Sequence, residues 1–175
     1  MSVHRVEAHL TLPVSLEEAW AFFADPHNLG LITPPGMGFA IKGDVSAEMY
    51  AGLLIAYTVR PLFGIPVEWL TEITHVEEGR YFVDEQRHGP YRLWHHQHHF
   101  AAVEGGVEMR DILHYELAFG PLGDLADRLL VASRIKEIFV YRQQALDARF
   151  GSVPDKAGLG QVRERRLQRR GAGFP

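Results

Sequence analysis

From Gly38 to Phe119 the chain repeats one pattern, a strand signal closed by turn chemistry. After Gly120-Pro121 the period changes and stays changed through Phe150. Strand segments that follow one another without an intervening helix pair as antiparallel neighbours. Such a sheet has one apolar face to cover, and the long helical stretch behind it is the natural cover. The expected class is therefore α+β. About seven strands, counting one at the N-terminus, form a curved antiparallel sheet that grips a long C-terminal helix and leaves an internal cavity.

The N-terminal strand is Val3–Leu12, where Val6, Ala8, Leu10 and Leu12 alternate with Arg5, Glu7 and His9. Pro13 closes it. Ser15 followed by Glu18 is a capping box that opens a helix, and Asp25-Pro26 ends that helix. A second short helix is expected over His27–Ile32, stopped by Thr33-Pro34-Pro35-Gly36. Strands are then expected at Gly38–Lys42, Leu53–Arg60, Val67–Val76, Tyr81–Arg87, Tyr91–Ala102 and Val107–Phe119.

Gly105-Gly106 reads as a two-residue hairpin turn. That turn would pair Phe100 with Asp111, His98 with Leu113, His96 with Tyr115 and Trp94 with Leu117. Beyond it, Leu122, Leu125, Leu129, Ala132, Ile135, Phe139, Ala145 and Leu146 recur at helical spacing. They predict a helix over Pro121–Phe150, about 45 Å long. Residues 1–151 are expected to form one domain, and residues 152–175 a basic tail, partly helical at most.

Charge separates the two parts. The tail holds six basic and two acidic residues, a net of +4, so the body carries −8 of the overall −4. An acidic body argues against nucleic acid as a partner. There is no cysteine, hence no disulfide frame or thiolate chemistry. No apolar run approaches the ~18–20 residues of a membrane span, and no signal peptide is read. The expectation is a cytoplasmic protein without membrane insertion.

The residues quoted for the strands, helices and turns resemble the START-like, helix-grip superfamily, also labelled SRPBCC. The resemblance rests on Pro13-Val14-Ser15-Leu16-Glu17-Glu18-Ala19-Trp20, Pro26-His27-Asn28-Leu29 and Ile32-Thr33-Pro34. It continues through Asp84-Glu85-Gln86, Gly89-Pro90-Tyr91 and Trp94-x-His96-x-His98-x-Phe100, with Asp111, Tyr115 and the closing helix. It covers residues 3–150. The Asp84–Phe100 string is similar to a bacterial branch described as cyclase/dehydrase-like or ligand-binding. The superfamily implies a hydrophobic cavity between sheet and helix but no single reaction. Lipid carriers, hormone receptors, polyketide aromatase/cyclases and quinone-binding chaperones share the fold. In some proteins a similar domain precedes a nucleotide-sugar-epimerase-like domain, which implies an epimerase-like partner protein. A homodimer is the other assembly left open.

The stretch that bears chemistry is Tyr91–Ala102. Period two puts Trp94, His96, His98 and Phe100 on one face and His95, Gln97 and His99 on the other. His96 and His98 then project the same way, with Cα atoms ~6.5–7 Å apart. Such a pair can bind a metal if Asp111, Tyr115, Glu72 or Asp84 supplies a further ligand. It can act as acid or base, or it can hydrogen-bond within a partly polar wall. The last reading is adopted, and no metal or cofactor is assigned.

The expected ligand-binding residues are Trp69, Phe82, Asp84, Gln86, Trp94, His96, His98, Phe100, Asp111 and Tyr115. Arg92 is a candidate partner for Asp84. Met37, Met49 and Met109 are candidates for a pocket entrance, and Pro61–Pro66 for a lid. The expected function is binding, transport or sequestration of a hydrophobic or amphipathic small molecule. The alternative is a polyketide cyclase/dehydrase-like enzyme, with His96, His98 and Tyr115 as catalytic candidates.

Overall fold

The computed structural model describes residues 3–118, 130–152 and 163–167. Its elements are β1 (Val3–Leu12), α1 (Leu16–Phe23), two 3-10 helices (Pro26–Ile32 and Pro35–Met37), β2 (Ala40–Ile41), β3 (Leu54–Val59), β4 (Val67–Glu77), β5 (Tyr81–His88), β6 (Tyr91–Val103), β7 (Gly106–Leu117), α2 (Ala132–Phe150) and β8 (Arg163–Leu167). All eight strands join one antiparallel sheet in the order β2-β3-β4-β5-β6-β7-β1-β8. The first seven are the expected ones. β8 comes from the segment read as tail and pairs with β1. The expected helical residues Pro121–Leu129 lie outside the described residues, and α2 accounts for the rest except Leu130 and Val131.

Local chemistry explains the element ends. The Ser15 side chain accepts a hydrogen bond from Glu18 N at 3.1 Å, so the capping box forms. Gly151, at φ +91°, closes α2 by donating to the Asp147 carbonyl.

The β6–β7 hairpin turns one residue earlier than expected. Glu104-Gly105 is the loop, Val103 pairs Gly106, and the register moves by two. His98 thus lies opposite Asp111, His96 opposite Leu113 and Trp94 opposite Tyr115. Gly106 is needed inside the strand: a Cβ there would sit 1.9 Å from the Leu12 carbonyl oxygen of β1. Because the shift is an even number of residues, every side chain keeps its face.

The inner face packs under α1, the longer 3-10 helix and α2, and its apolar core is split. At one end Leu12, Phe22, Ile55, Ile73, Phe82, Phe100, Met109 and Leu146 form one buried cluster. At the other, Val6, Leu113, Tyr115, Ile135 and Phe139 form a second. The gap between them holds His96, His98 and Asp111, all buried.

Candidate functional site

Five polar side chains from four elements fill that gap. β5 brings Asp84, β6 brings His96 and His98, β7 brings Asp111, and α2 brings Arg142. Each strand residue faces inward by simple alternation, and the observed register sets His98 between the two carboxylates. His98 Nε2 donates to Asp84 Oδ2 at 2.7 Å, and His98 Nδ1 lies 2.7 Å from Asp111 Oδ1. His96 repeats the arrangement more loosely. Its Nδ1 is 3.5 Å from Asp84 Oδ2, and its Nε2 is 3.1 Å from Asp111 Oδ1. Arg142 Nη1 approaches the same Asp111 oxygen at 3.6 Å. The approaches to Asp111 are close contacts that lack hydrogen-bond alignment.

Burial works against every charge here, so the charge pattern decides the protonation states. Burial pushes both carboxyl groups up. For Asp84 the His98 hydrogen bond and the charges of His96, His98 and Arg142 overcome it, holding the group below the usual carboxylate range. For Asp111 the His98 charge, His96 and Arg142 hold it well below. Burial pushes both imidazoles down. In His96 this prevails, helped by the neighbouring His98 charge. In His98 the two carboxylates overcome it, and its pKa rises. These directions favour ionised carboxylates beside Arg142 and place a proton on His98 in preference to His96.

A cavity of about 130 Å³ opens beside this cluster. Its apolar wall includes Phe22, Phe23, Leu29, Ile32, Ile55, Ile73 and Phe82. Asp84, His96, His98 and Arg142 form its polar end, with Tyr57, Thr71 and Trp94 beside them. Asp84 is the most exposed of the five polar side chains at 17%, as expected for the one that opens onto the space. Trp94 Nε1 donates to its other oxygen at 3.3 Å. Tyr57 hydrogen-bonds Thr71, and burial raises its pKa, so the phenol stays protonated. The roof over Phe22 to Ile32 is pinned by Asn28 Nδ2 donating to the Phe22 carbonyl and Thr33 Oγ1 to the Leu29 carbonyl.

Of the residues expected at the site, Phe82, Asp84, Trp94, His96 and His98 line the cavity. Asp111 stands behind the histidines. Trp69 packs with Met37 and Val59. Phe100 packs on Trp20 and Phe23. Tyr115 is fully buried, stacked on His4. Gln86 uses both amide atoms on the backbone of Tyr91 across the β5–β6 turn.

The secondary candidates also separate. Arg92 approaches Glu116 on the other face at 3.9 Å, rather than Asp84. Glu72 is held on that face by Arg87. His95 and His99 lie there too, joined through Gln97. Met49 lines the cavity, while Met37 and Met109 are core. The loop at Pro61–Pro66 leaves Phe63 and Ile65 exposed and away from the cavity lining.

Arg142 escaped the sequence reading, yet its signal was there. Ile135, Phe139, Arg142 and Leu146 follow helical spacing, so Arg142 interrupts an otherwise apolar stripe with a charge. Such a residue needs a buried partner.

No protein-family model matches the chain, and no curated protein matches it in sequence. Solved structures do. A START superfamily protein from Mycobacterium smegmatis superposes with a TM-score of 0.64 at 13% identity, over 84% of this chain and 97% of that one. Major latex-like protein 151 from Panax ginseng gives 0.62 at 11%, over 85% and 97%. A protein of Thermus thermophilus gives 0.62 at 19%, over 83% and 96%. At these identities the likeness is one of fold, and the chain has the START-like helix-grip fold.

Proposed function

We propose that the chain binds one small amphipathic molecule in the cavity between the sheet and its helical cover. The observation that carries this reading is the division of the cavity wall, apolar on most sides and polar where Asp84, His96, His98 and Arg142 meet. Size restricts the ligand. An apolar cavity of ~150 Å³ accepts benzene, so about 130 Å³ suits a single ring or a short acyl segment. At the polar end the two carboxylates already have the histidines and Arg142 as close partners. A neutral hydroxyl or carbonyl head group finds partners there, whereas an ionic head group lacks a counter-charge.

A ligand-observed NMR screen with monocyclic phenols, aryl ketones and their charged analogues tests this. Neutral members should bind, and Leu29→Trp, at a half-exposed wall position, should abolish their binding while the protein stays folded. Binding that survives Leu29→Trp, or a screen with no binder, sinks the reading.

One observation favours a second reading, an enzyme of the cyclase/dehydrase kind. Burial and the His98 charge favour the neutral form of His96, which lies beside the cavity with a carboxylate behind it, and the neutral form is the one a general base requires. In a binder, His96→Gln lowers affinity alone. In an enzyme it removes turnover far more than it weakens binding.

A further inference from the structure

The cavity-facing and hidden nitrogens of the two histidines are sorted by side. His96 Nδ1 and His98 Nε2 turn toward Asp84, at 3.5 and 2.7 Å. His96 Nε2 and His98 Nδ1 turn toward Asp111, at 3.1 and 2.7 Å. One oxygen of Asp111 meets both hidden nitrogens, and Arg142 stands beside that oxygen. Metal-ligating histidines characteristically give their second nitrogen to a carboxylate, which sets ring orientation and tautomer. Both imidazoles here bring the second nitrogen to within 3.1 Å of a single buried carboxylate oxygen, the proximity that arrangement needs, and alignment of the two contacts would complete it.

We propose that Asp84, His96 and His98 form a binding site for one divalent first-row transition metal ion, with Asp111 as the residue that orients both imidazoles. The three donor atoms lie within 4.8 Å of one another. With metal–ligand bonds of ~2.0–2.2 Å, neighbouring donors of a tetrahedral ion sit about 3.3 Å apart. The His96–Asp84 separation is already close to this. The His98–Asp84 separation must widen by roughly 0.6 Å, because a metal replaces the proton those two atoms share. That proton leaves to solvent. Two imidazoles and one carboxylate suit zinc, iron or cobalt rather than magnesium or calcium. Three protein ligands leave a coordination position open, and the cavity lies beside Asp84. A metal there adds two positive charges and removes one proton, so the polar end accepts an anionic oxygen donor that the metal-free cluster disfavours.

The test needs no organic ligand, so its outcome is independent of the small-molecule reading. Chelator-treated full chain is titrated with Zn²⁺ while the histidine imidazole resonances are followed by NMR. One equivalent should shift His96 and His98 and leave the outer-face His9, His95, His99 and His114 unchanged. Bound zinc should survive gel filtration at one per chain. His98→Gln should abolish this binding, Asp111→Asn should weaken it 10- to 100-fold, and the double variant His95→Gln/His99→Gln should leave it intact. If a cluster variant fails to fold, the wild-type resonance shifts and stoichiometry still decide. Shifts confined to the outer-face histidines, or no zinc retained, overturn the proposal.

Discussion

His96 and His98 are two residues apart on one strand, equally buried, and pulled in opposite directions. The difference is contact. His98 lies within 2.7 Å of a carboxylate oxygen on each side, while His96 holds both at longer range and feels the His98 charge. In the metal-free protein, NMR titration should therefore find His98 above the ordinary histidine value of about 6.5 and His96 below it. Asp111→Asn should bring His98 down.

The stability consequence follows by sign. His98 has a raised folded pKa, so its contribution is complete below about 6.5 and fades as pH rises through the folded value. Asp84 and Asp111 have lowered pKa values, so theirs is present above the usual carboxylate range and fades as pH falls through the folded values. His96 works the other way from His98: protonation of the unfolded chain below about 6.5 lowers stability. Urea unfolding of His98→Gln should thus lack the loss of stability that the parent shows as pH rises above 6.5. Removing one charge from the cluster at neutral pH is costlier. Asp111→Asn should destabilise by about 3 kcal/mol, because it leaves buried cations short of a partner.

At the scale of elements, the β6–β7 turn shows how a local motif is overruled by a neighbour. Gly105 and Gly106 are equivalent as sequence, but only Gly106 lies under β1. Gly106→Ala forces backbone to move and should cost at least ~2 kcal/mol. Gly105→Ala, which meets open space and carries only the strain of φ +86°, should cost about 1 kcal/mol. Denaturation midpoints of the two variants decide; equal losses would refute the assignment of the crowding to Gly106. Gln86 is a similar case. Its place in a recognisable string points to a ligand, yet its amide clamps Tyr91 across the hairpin. The alternating pattern reveals that such a side chain points inward but not what it meets there.

For the whole molecule, the informative fact is a core divided by charge. Five ionisable groups occupy volume that would otherwise join two apolar clusters. Buried ionic clusters are often no more stabilising than apolar replacements of similar size. The combined variant Asp84→Leu, His96→Leu, His98→Phe, Asp111→Leu, Arg142→Met should then unfold at a urea concentration no lower than the parent, while losing all cavity binding. A large loss of stability in that variant would instead make the cluster a structural necessity.

The antiparallel run of strands, the capping box, the covering helix and the inward direction of Trp94, His96 and His98 were all legible in the chain. Each depends on a period or on neighbours a few residues apart. The register of β6 against β7 was not legible, because a shift of two preserves every face and the apolar pattern is blind to it. Nor was the eighth strand, whose Arg163–Leu167 segment is basic and carries no β-rich alternation. The site itself depends on tertiary structure most of all. Asp84, His98, Asp111 and Arg142 are far apart in sequence, and only strand pairing and the docking of α2 bring them within reach. A histidine pair on one strand face is a local fact. That it lies between two carboxylates, with an arginine behind and a cavity in front, follows from how the sheet closes around its helix.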